Sequence, residues 1–269
     1  MNIVITGATR GIGRGMAEEF LRRGHNVTIS GRGAESAAKA ALQLRADSQS
    51  EALGVAADAR DPAALQALWD AAAAQFGAVD IWINNAGITN RKLPLTELDV
   101  EEISGVLDTN VTGVAIGCRV AIKGMLAQGR GKIFNMEGFG SDGMTQAGMT
   151  IYGASKRAVR YLTESLAKEY KDTPLIIANL SPGVVVTEFL TRDLYAHDPT
   201  ELDKRRKFLN LLADRVETVA PALVDGILKL ERSGGAVRWM TGRQLVGRVL
   251  LSPFRSRDPF AEPEAPNPS

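Results

Sequence analysis

The sequence predicts an α/β fold, a doubly wound parallel sheet with helices on both faces, in a single domain. Short apolar segments alternate with helical patterns along most of the 269 residues. The apolar segments are nearly continuous, which is typical of parallel strands that are buried on both faces. A chain of this length suits one large domain. We expect that domain over 1–250 and a partly disordered tail over 251–269, which is rich in proline and acidic residues.

The elements alternate in order along the chain. Four predicted strands come first, NIVIT, NVTIS, EALGVAAD and DIWINNAG, with helices between them. Two consecutive helices then run to about residue 128, followed by a strand GKIFNM, a helix over 152–171, a strand LIIANLSPG, a helix over 217–232 and a last strand near VRWMTG. The charged stretch 188–215 interrupts this rhythm after a strand end, where ligands bind in such sheets. We therefore predict that it forms a substrate lid.

The composition argues against several classes of function. A net charge of +1 does not indicate a nucleic acid or an anionic membrane surface as a partner. One cysteine, Cys118, and two histidines predict neither a disulfide framework nor a metal site. The opening MNIVITG lacks a signal-peptide pattern, and no apolar run approaches the ~18–20 residues of a membrane span. We therefore expect a cytoplasmic protein without a membrane span.

A glycine-rich turn follows the first predicted strand. The segment ITGATRGIG at 5–13 contains Gly7, Gly11 and Gly13 and precedes a helix. Glycine permits a tight turn and lets the backbone approach a pyrophosphate, while the helix N-terminus offers free N–H groups and a positive dipole end. A glycine turn between the first strand and the first helix of an alternating pattern predicts dinucleotide binding on a Rossmann-type sheet.

Further motifs occur in a fixed order. They are SGR at 30–32, AADARD at 56–61, NNAG at 84–87, DTNVTG around Asn110, YGASK at 152–156 and SPGVVVT at 181–187. Together with the T-G-x-x-x-G-x-G turn, this set resembles the short-chain dehydrogenase/reductase family over about 1–245. By that resemblance, the cofactor-binding residues are Gly7, Thr9, Arg10, Gly11, Ile12, Gly13, Arg32, Asp58, Ala59, Asn85, Ala86, Gly87, Asn110, Tyr152, Lys156, Pro182, Gly183, Val185 and Thr187.

The end of the second strand favours NADP(H) as the cofactor. A site for NAD usually places a carboxylate there, to bind the ribose 2′-hydroxyl. This chain has Gly31 and Arg32 instead, and Arg10 lies in the glycine turn near the same ribose. Two guanidinium groups can hold a 2′-phosphate by bidentate contacts. The alternative is that both are ordinary surface arginines. Asp58 resembles the family residue that contacts adenine.

Tyr152 and Lys156 are the candidate catalytic pair. They are one helical turn apart and therefore share a face. A nearby ammonium and a positive nicotinamide would lower the pKa of the tyrosine from about 10, so that it exchanges a proton with a carbonyl oxygen more readily. The resemblance implies that Lys156 also holds the nicotinamide ribose. It implies that Asn110 kinks its helix and anchors a water of the proton relay.

The chain departs from the family pattern at the catalytic serine. Counting thirteen residues back from the tyrosine reaches Phe139, whereas matching IFNMEGFGS to the usual strand end places Gly138 there. Neither side chain can donate a hydrogen bond. Ser141 is the nearest hydroxyl and is the candidate to polarise the carbonyl, unless it is only a loop residue. Glu137 and Asp142 are further candidates, because a desolvated, protonated carboxyl can donate a hydrogen bond.

A subset of motifs resembles the chlorophyll(ide) b reductase branch of the family. These are FNMEGFGSDG, YGASK, LSPGVVVTEFL, ADRVETVAPALVDGI and VRWMT. The resemblance implies NADPH-dependent reduction of a formyl group on a tetrapyrrole. Two alternatives remain open, namely a reductase of another carbonyl substrate (steroid-like, sugar or acyl) and a non-catalytic NADP(H)-sensing protein. The family also implies a homo-oligomer, a dimer or tetramer, that associates through the helices at 97–128 and 152–171. The segment GRQLVGRVLLSPFRSRDPF either packs on the sheet, borders the substrate mouth or touches a membrane.

Overall fold

A computed structural model shows an all-parallel sheet between two layers of helices. It describes residues 1–46, 48–188, 190, 209–241, 244, 247–248 and 257–260. The strands within these ranges are β1 (Asn2–Ile5), β2 (Asn26–Gly31), β3 (Ala52–Ala56), β4 (Ile81–Asn84), β5 (Gly131–Met136), β6 (Leu175–Ser181), β7 (Val184–Val186), β8 (Ala213–Arg215) and β9 (Ala236–Arg238). The α-helices are α1 (Gly11–Arg22), α2 (Ala34–Ala46), α3 (Pro62–Phe76), α4 (Val100–Leu107), α5 (Gly113–Gln128), α6 (Thr150–Glu169) and α7 (Val216–Lys229).

The strand order confirms the predicted doubly wound sheet. The seven-stranded sheet runs β3-β2-β1-β4-β5-β6-β9, with all neighbours parallel. The order reverses between β1 and β4, so the loops after these two strands diverge to opposite sides. Such a reversal opens a crevice at the carboxyl ends of the strands, and this is where open α/β sheets bind ligands. The glycine turn and the NNAG segment both border that crevice.

Two apolar clusters hold the helices against the sheet. On one face, Ile3 and Ile5 of β1 pack with Met16 and Phe20 of α1 and with residues of α7. On the other face, Trp82 of β4 lies among side chains of α3 and α5. Each face of the central strands is therefore buried, which explains why their sequences are continuously apolar.

The helix boundaries differ from the sequence prediction in small ways. Helix α1 begins at Gly11 and α6 at Thr150, each two residues earlier than predicted. The predicted pair of helices up to 128 is one continuous helix from Val100 to Gln128, in which Asp108–Thr112 forms a π-helical turn. This helix is long and apolar enough to cross a membrane by composition, but half of its most apolar window is buried inside the protein. A core helix passes the same test, and the absence of a membrane span stays a prediction.

The predicted lid lies largely outside the described residues. Residues 189 and 191–208 are outside them, so the lid stays a prediction. The described part contains β8, which pairs in parallel with β7, although we expected an irregular stretch. The sequence of β8, ADR, contains a single apolar residue, so it shows no strand pattern. Of the predicted tail, 257–260 is described, and Arg257 Nη2 donates to Asp214 Oδ1 at 2.5 Å.

Candidate active site

The glycine turn and the end of β4 are packed backbone against backbone. Gly7 has a φ of 62° and Gly11 a φ of 60°, a region that side chains strongly disfavour. A Cβ on Gly7 would lie 2.8 Å from Ala86 Cα, and one on Gly13 would overlap Asn85 Nδ2. Glycine is therefore required at these positions by the close approach of the two segments.

The N-terminus of α1 is suited to an anion. Its N-cap residue, Arg10, is extended and makes no side-chain cap. The first N–H groups of the helix therefore point into the crevice without a capping side chain, at the positive end of the helix dipole. The turn and this helix end fit the pyrophosphate of a dinucleotide.

The two asparagines of NNAG bind different parts of the structure. Asn85 Nδ2 donates to the carbonyls of Thr6 at 2.9 Å and Gly7 at 3.0 Å, so this side chain holds the glycine turn in place. Asn84 lies in the sheet interior, where it accepts from Trp82 Nε1 at 2.7 Å and donates to Asn135 Oδ1 at 2.8 Å. Asn84 therefore supports the central sheet, and Asn85 is the residue that shapes the cofactor turn.

The end of β2 approaches the glycine turn closely. A Cβ on Gly31 would lie 2.7 Å from Thr9 Cγ2, so a larger residue would separate the strand end from the turn. Arg32 follows directly and is exposed. Hydrogen bonds from Arg60 chiefly lower the pKa of the Asp58 carboxyl, and the charge of Arg32 adds to the effect. Arg32 therefore lies near Asp58, as a site for the adenosine end of a cofactor requires.

Arg10 has a protein partner that the sequence did not reveal. Its Nη1 donates to Glu188 Oε2 at 2.8 Å, and both side chains are nearly two-thirds exposed. A 2′-phosphate at Arg10 would compete with this carboxylate. The role of Arg10 at a 2′-phosphate stays a prediction. Arg32 makes no ion pair within the part of the chain that the structure describes.

Helix α6 brings Tyr152 and Lys156 together in the crevice. Both side chains are buried, and Lys156 Nζ lies 5.8 Å from the centre of the tyrosine ring. The same Nζ donates to the carbonyl of Met136 at 3.0 Å. A Cβ on Gly87 would lie 3.4 Å from this Nζ, so the NNAG glycine leaves room for the lysine head.

Burial shifts the pKa values of both the tyrosine and the lysine. Loss of solvent raises the pKa of Tyr152 to about 12, and it lowers the pKa of Lys156 to about 8. The negative charge of Glu137 opposes the fall at Lys156. In the protein alone, desolvation of the phenolate outweighs the attraction of a single ammonium. The lowered tyrosine pKa expected from the sequence depends also on a positive nicotinamide and stays a prediction.

Asn110 occupies the π-helical turn and clamps two segments. Its Oδ1 accepts from the Ile88 N–H at 2.9 Å, and its Nδ2 donates to the Ile88 carbonyl at 2.8 Å and to Ser155 Oγ at 3.0 Å. Ser155 Oγ in turn donates to the Tyr152 carbonyl at 2.7 Å. π-Turns are frequent at functional sites. The water of a proton relay at Asn110 stays a prediction.

Asn90 supports the tyrosine, and the sequence did not single it out. This buried side chain accepts from the Tyr152 N–H at 3.0 Å and donates to the carbonyls of Gly148 at 2.9 Å and Arg91 at 2.6 Å. It therefore ties the loop after β4 to the start of α6. No periodicity or motif marks this position, which lies in a loop.

Gly138 is one of the two positions where the family serine is expected, and the tyrosine fills the space beside it. A Cβ there would overlap Tyr152 Oη and would lie 3.1 Å from Lys156 Cγ. Ser141 is buried in the same loop, and its N–H donates to the Gly138 carbonyl at 3.1 Å. Asp142 is exposed, which removes the desolvation that a protonated carboxyl would need. The polarising role of Ser141 stays a prediction.

The remaining predicted cofactor residues lie around the same crevice. A Cβ on Gly11 would lie 3.5 Å from Thr187 Cγ2, so the segment after β6 faces the glycine turn. Val185 and Ile12 pack against one apolar cluster. Pro182 and Gly183 lie between β6 and β7. Ala59 contacts the first turn of α5, where its carbonyl would meet a Cβ on Gly113 at 2.9 Å.

Comparison with known proteins identifies the family. The short chain dehydrogenase family model matches residues 1–196. The chain belongs to the short-chain dehydrogenase family. It is therefore an oxidoreductase on a fold that binds a nicotinamide cofactor.

Relatives and solved structures agree with this assignment. The chain is 36% identical to chlorophyll(ide) b reductase NOL of Oryza sativa subsp. japonica, covering 93% of this chain and 74% of that protein. A gluconate 5-dehydrogenase of Burkholderia cenocepacia in complex with NADP and tartrate superposes with a TM-score of 0.76 at 26% identity, covering 88% and 92% of the two chains. A 3-ketoacyl-(acyl-carrier-protein) reductase of Brucella melitensis, complexed with NADH, gives 0.78 at 27% identity, covering 90% and 98%.

The expectation of a cytoplasmic protein is wrong by the same comparison. The rice relative is chloroplastic, as are the other chlorophyll(ide) b reductases from rice and Arabidopsis thaliana that match this chain. The expectation depended on a missing leader pattern, and such an absence does not specify a compartment.

Proposed function

We propose that this protein is an NADPH-dependent carbonyl reductase with Tyr152 as the general acid, and that its substrate is the formyl group of chlorophyll(ide) b or of a similar tetrapyrrole. The observation that carries the proposal is that Tyr152 and Lys156 are buried in the same crevice as the glycine turn, which fits a dinucleotide. The similarity to chlorophyll(ide) b reductases over most of the chain supports the substrate class.

Different residues around the crevice would bind different parts of the cofactor. The turn at 5–13 and the open end of α1 would hold the pyrophosphate, and Arg32 would face the 2′-phosphate. Lys156 would hold the nicotinamide ribose, and the segment 182–187 would hold the nicotinamide. The reduced nicotinamide supplies a hydride to the carbonyl carbon when it is bound.

The protein's own task is to deliver a proton to the carbonyl oxygen. Tyr152 with a pKa of about 12 is protonated at neutral pH, so its Oη carries the proton that an alkoxide product needs. Lys156 with a pKa of about 8 is charged at neutral pH and stabilises the phenolate that the transfer leaves behind. Asn90 and Ser155 fix the first turn of α6, and they thereby fix the direction of the hydroxyl.

The Tyr152→Phe substitution tests the proposal. We expect unchanged NADPH affinity and turnover of chlorophyllide b at least ~10²-fold slower, because only the transferred proton is removed. Tyr161→Phe is the matched control, since Tyr161 lies on the same helix and is 73% exposed. NADPH oxidation would be followed with chlorophyllide b and with a panel of small aldehydes and ketones.

The outcomes separate the alternatives. Undiminished turnover by the Tyr152→Phe protein would refute the assigned acid. Turnover of small carbonyls but not of the tetrapyrrole would overturn the proposed substrate and leave the reductase chemistry. NADPH binding without turnover of any carbonyl would favour a sensing protein.

A further inference from the structure

A buried carboxylate lies directly behind the catalytic lysine. Glu137 follows β5, and its N–H donates to the Leu180 carbonyl at 2.8 Å, so its backbone continues the sheet pairing. Its side chain is only 4% exposed. Glu137 is also the residue before Gly138, at the place where the chain departs from the family pattern. The proposed function assigns it no role.

The strand geometry directs Glu137 towards α6. Side chains two residues apart on a strand share a face. Asn135 Nδ2 donates to Thr163 Oγ1 on α6 at 2.9 Å, which identifies the face that Glu137 shares. The Met136 carbonyl, adjacent to the Glu137 nitrogen, accepts from Lys156 Nζ. The carboxylate and the ammonium therefore lie in the same buried layer.

The hydrogen bonding of Glu137 does not account for its burial. Its Oε1 is fully buried and accepts no hydrogen bond within the described residues. The Arg160 Nε atom lies 3.9 Å away, and this nitrogen donates instead to Glu164 Oε1 at 2.8 Å. A buried carboxylate with an unsatisfied oxygen lowers stability. Its charge is the property that the neighbouring cations can use.

Two cations face this charge from one side of α6. Lys156 and Arg160 are one helical turn apart and flank the carboxylate. Glu164 and Asp142 act on Arg160 from the surface. Lys156 is the more deeply buried of the two cations, and its ammonium gains most from a fixed negative charge nearby.

We propose that Glu137 is a positioning residue that keeps the buried Lys156 ammonium charged, which extends the working range of the enzyme to higher pH. The charge on Lys156 is a property of the protein alone. The effect on the pH range rests on the proposed function.

The direct test is an NMR titration of the full-length protein labelled with ¹³C at the lysine ε-carbons. The Lys156 signal is assigned by its loss in a Lys156→Arg protein. In Glu137→Gln, which is isosteric and neutral, we expect the Lys156 titration midpoint to fall by about one pH unit or more, because the ammonium loses its counter-charge. Glu169→Gln is the control, since this carboxylate is exposed at the C-terminal end of α6, 13 residues beyond Lys156. Its Lys156 midpoint should stay close to that of the wild type.

A second variant gives a change of opposite sign. Arg160→Gln removes the cation that shares Glu137, so the Lys156 midpoint should rise. Arg160 is 25% exposed, and its substitution leaves the β5 backbone intact, which keeps the test available if Glu137→Gln does not fold. An unchanged midpoint in Glu137→Gln, or a fall in Arg160→Gln, would overturn the proposal.

The catalytic consequence is measured separately. In Glu137→Gln, the alkaline limb of the kcat/KM profile should move to lower pH with the NMR midpoint, whereas a purely structural role would lower the activity equally at every pH. If the midpoint moves and the wild-type protein reduces no carbonyl, the proposed function fails and the assignment of Glu137 to Lys156 stands. If both proteins are active with the same limb, the extension of the pH range is refuted.

Discussion

Replacing Gly138 with alanine should displace the proposed acid. A Cβ at this position would overlap Tyr152 Oη and would lie 3.2 Å from Tyr152 Cζ and 3.1 Å from Lys156 Cγ. The separation between this Cβ and Tyr152 Oη would be about 1 Å shorter than an ordinary contact of ~3.5 Å. Tyr152 is buried, and its backbone is held by Asn90, so the ring has little room to yield. A displacement of ~1 Å in a catalytic group costs on the order of 10²-fold in rate.

The assay is kcat/KM for carbonyl reduction, with the free energy of unfolding and the NADPH affinity measured on the same protein. We expect a fall of ~10²-fold in kcat/KM and a loss of about 1–3 kcal/mol of stability from overpacking. NADPH affinity should change little, because the glycine turn is not touched. Gly105→Ala is the matched control. It lies within α4 with nothing within 4 Å of its added Cβ, so it should gain about 1 kcal/mol and keep full activity. A Gly138→Ala protein with wild-type kcat/KM would refute the packing of Tyr152 against this glycine.

Three further outcomes follow from the crevice. Arg32→Asp should reverse the proposed preference for NADPH over NADH, because a carboxylate repels a 2′-phosphate. The two dissociation constants measure this preference, and an unchanged ratio would locate the phosphate elsewhere. Gly13→Ala should weaken cofactor binding at least ~10-fold, since its Cβ overlaps Asn85 Nδ2 and displaces the turn. Undiminished affinity in a fluorescence titration would contradict this contact. Activity should fall above about pH 8, because Lys156 then loses the charge that stabilises the phenolate, and a flat profile would show that this charge is not needed.

The sequence was sufficient to predict the fold because its signal is local. Each central strand is a continuous apolar run, and each run is followed by a helix, so the alternation alone indicates a parallel sheet with both faces covered. The structure confirms the order of these elements. Strands β7 and β8 were not predicted, because β7 follows directly on the Pro182 and Gly183 turn and β8 contains a single apolar residue. The π-turn at Asp108–Thr112 was not predictable from periodicity either, since it adds one residue to an otherwise regular helix.

The site was predictable only where a motif specifies a residue. The motifs located the glycine turn and the pair of Tyr152 and Lys156, which the structure brings to one crevice. They did not reveal Asn90, or Glu188 as a partner of Arg10, because those contacts join segments that are distant in sequence. The burial that raises the pKa of Tyr152 in the protein alone was not predictable for a related reason. A sequence shows which charges are present, but it does not show how much solvent the fold removes from them.

The departure at Gly138 cannot be reversed by a single substitution. A serine there would bring the same Cβ into the space of Tyr152 Oη. The variant would gain the serine hydroxyl of the family pattern, but Tyr152, the proposed acid, would be displaced. In this structure the two groups exclude each other unless α6 or the strand end shifts. Gly138 and the preceding Glu137 therefore form one arrangement. Glycine at 138 lets the tyrosine approach the strand, and the carboxylate at 137 places a charge in the layer beneath it. An active variant with serine at position 138 would therefore need a second, compensating change where this residue contacts Tyr152.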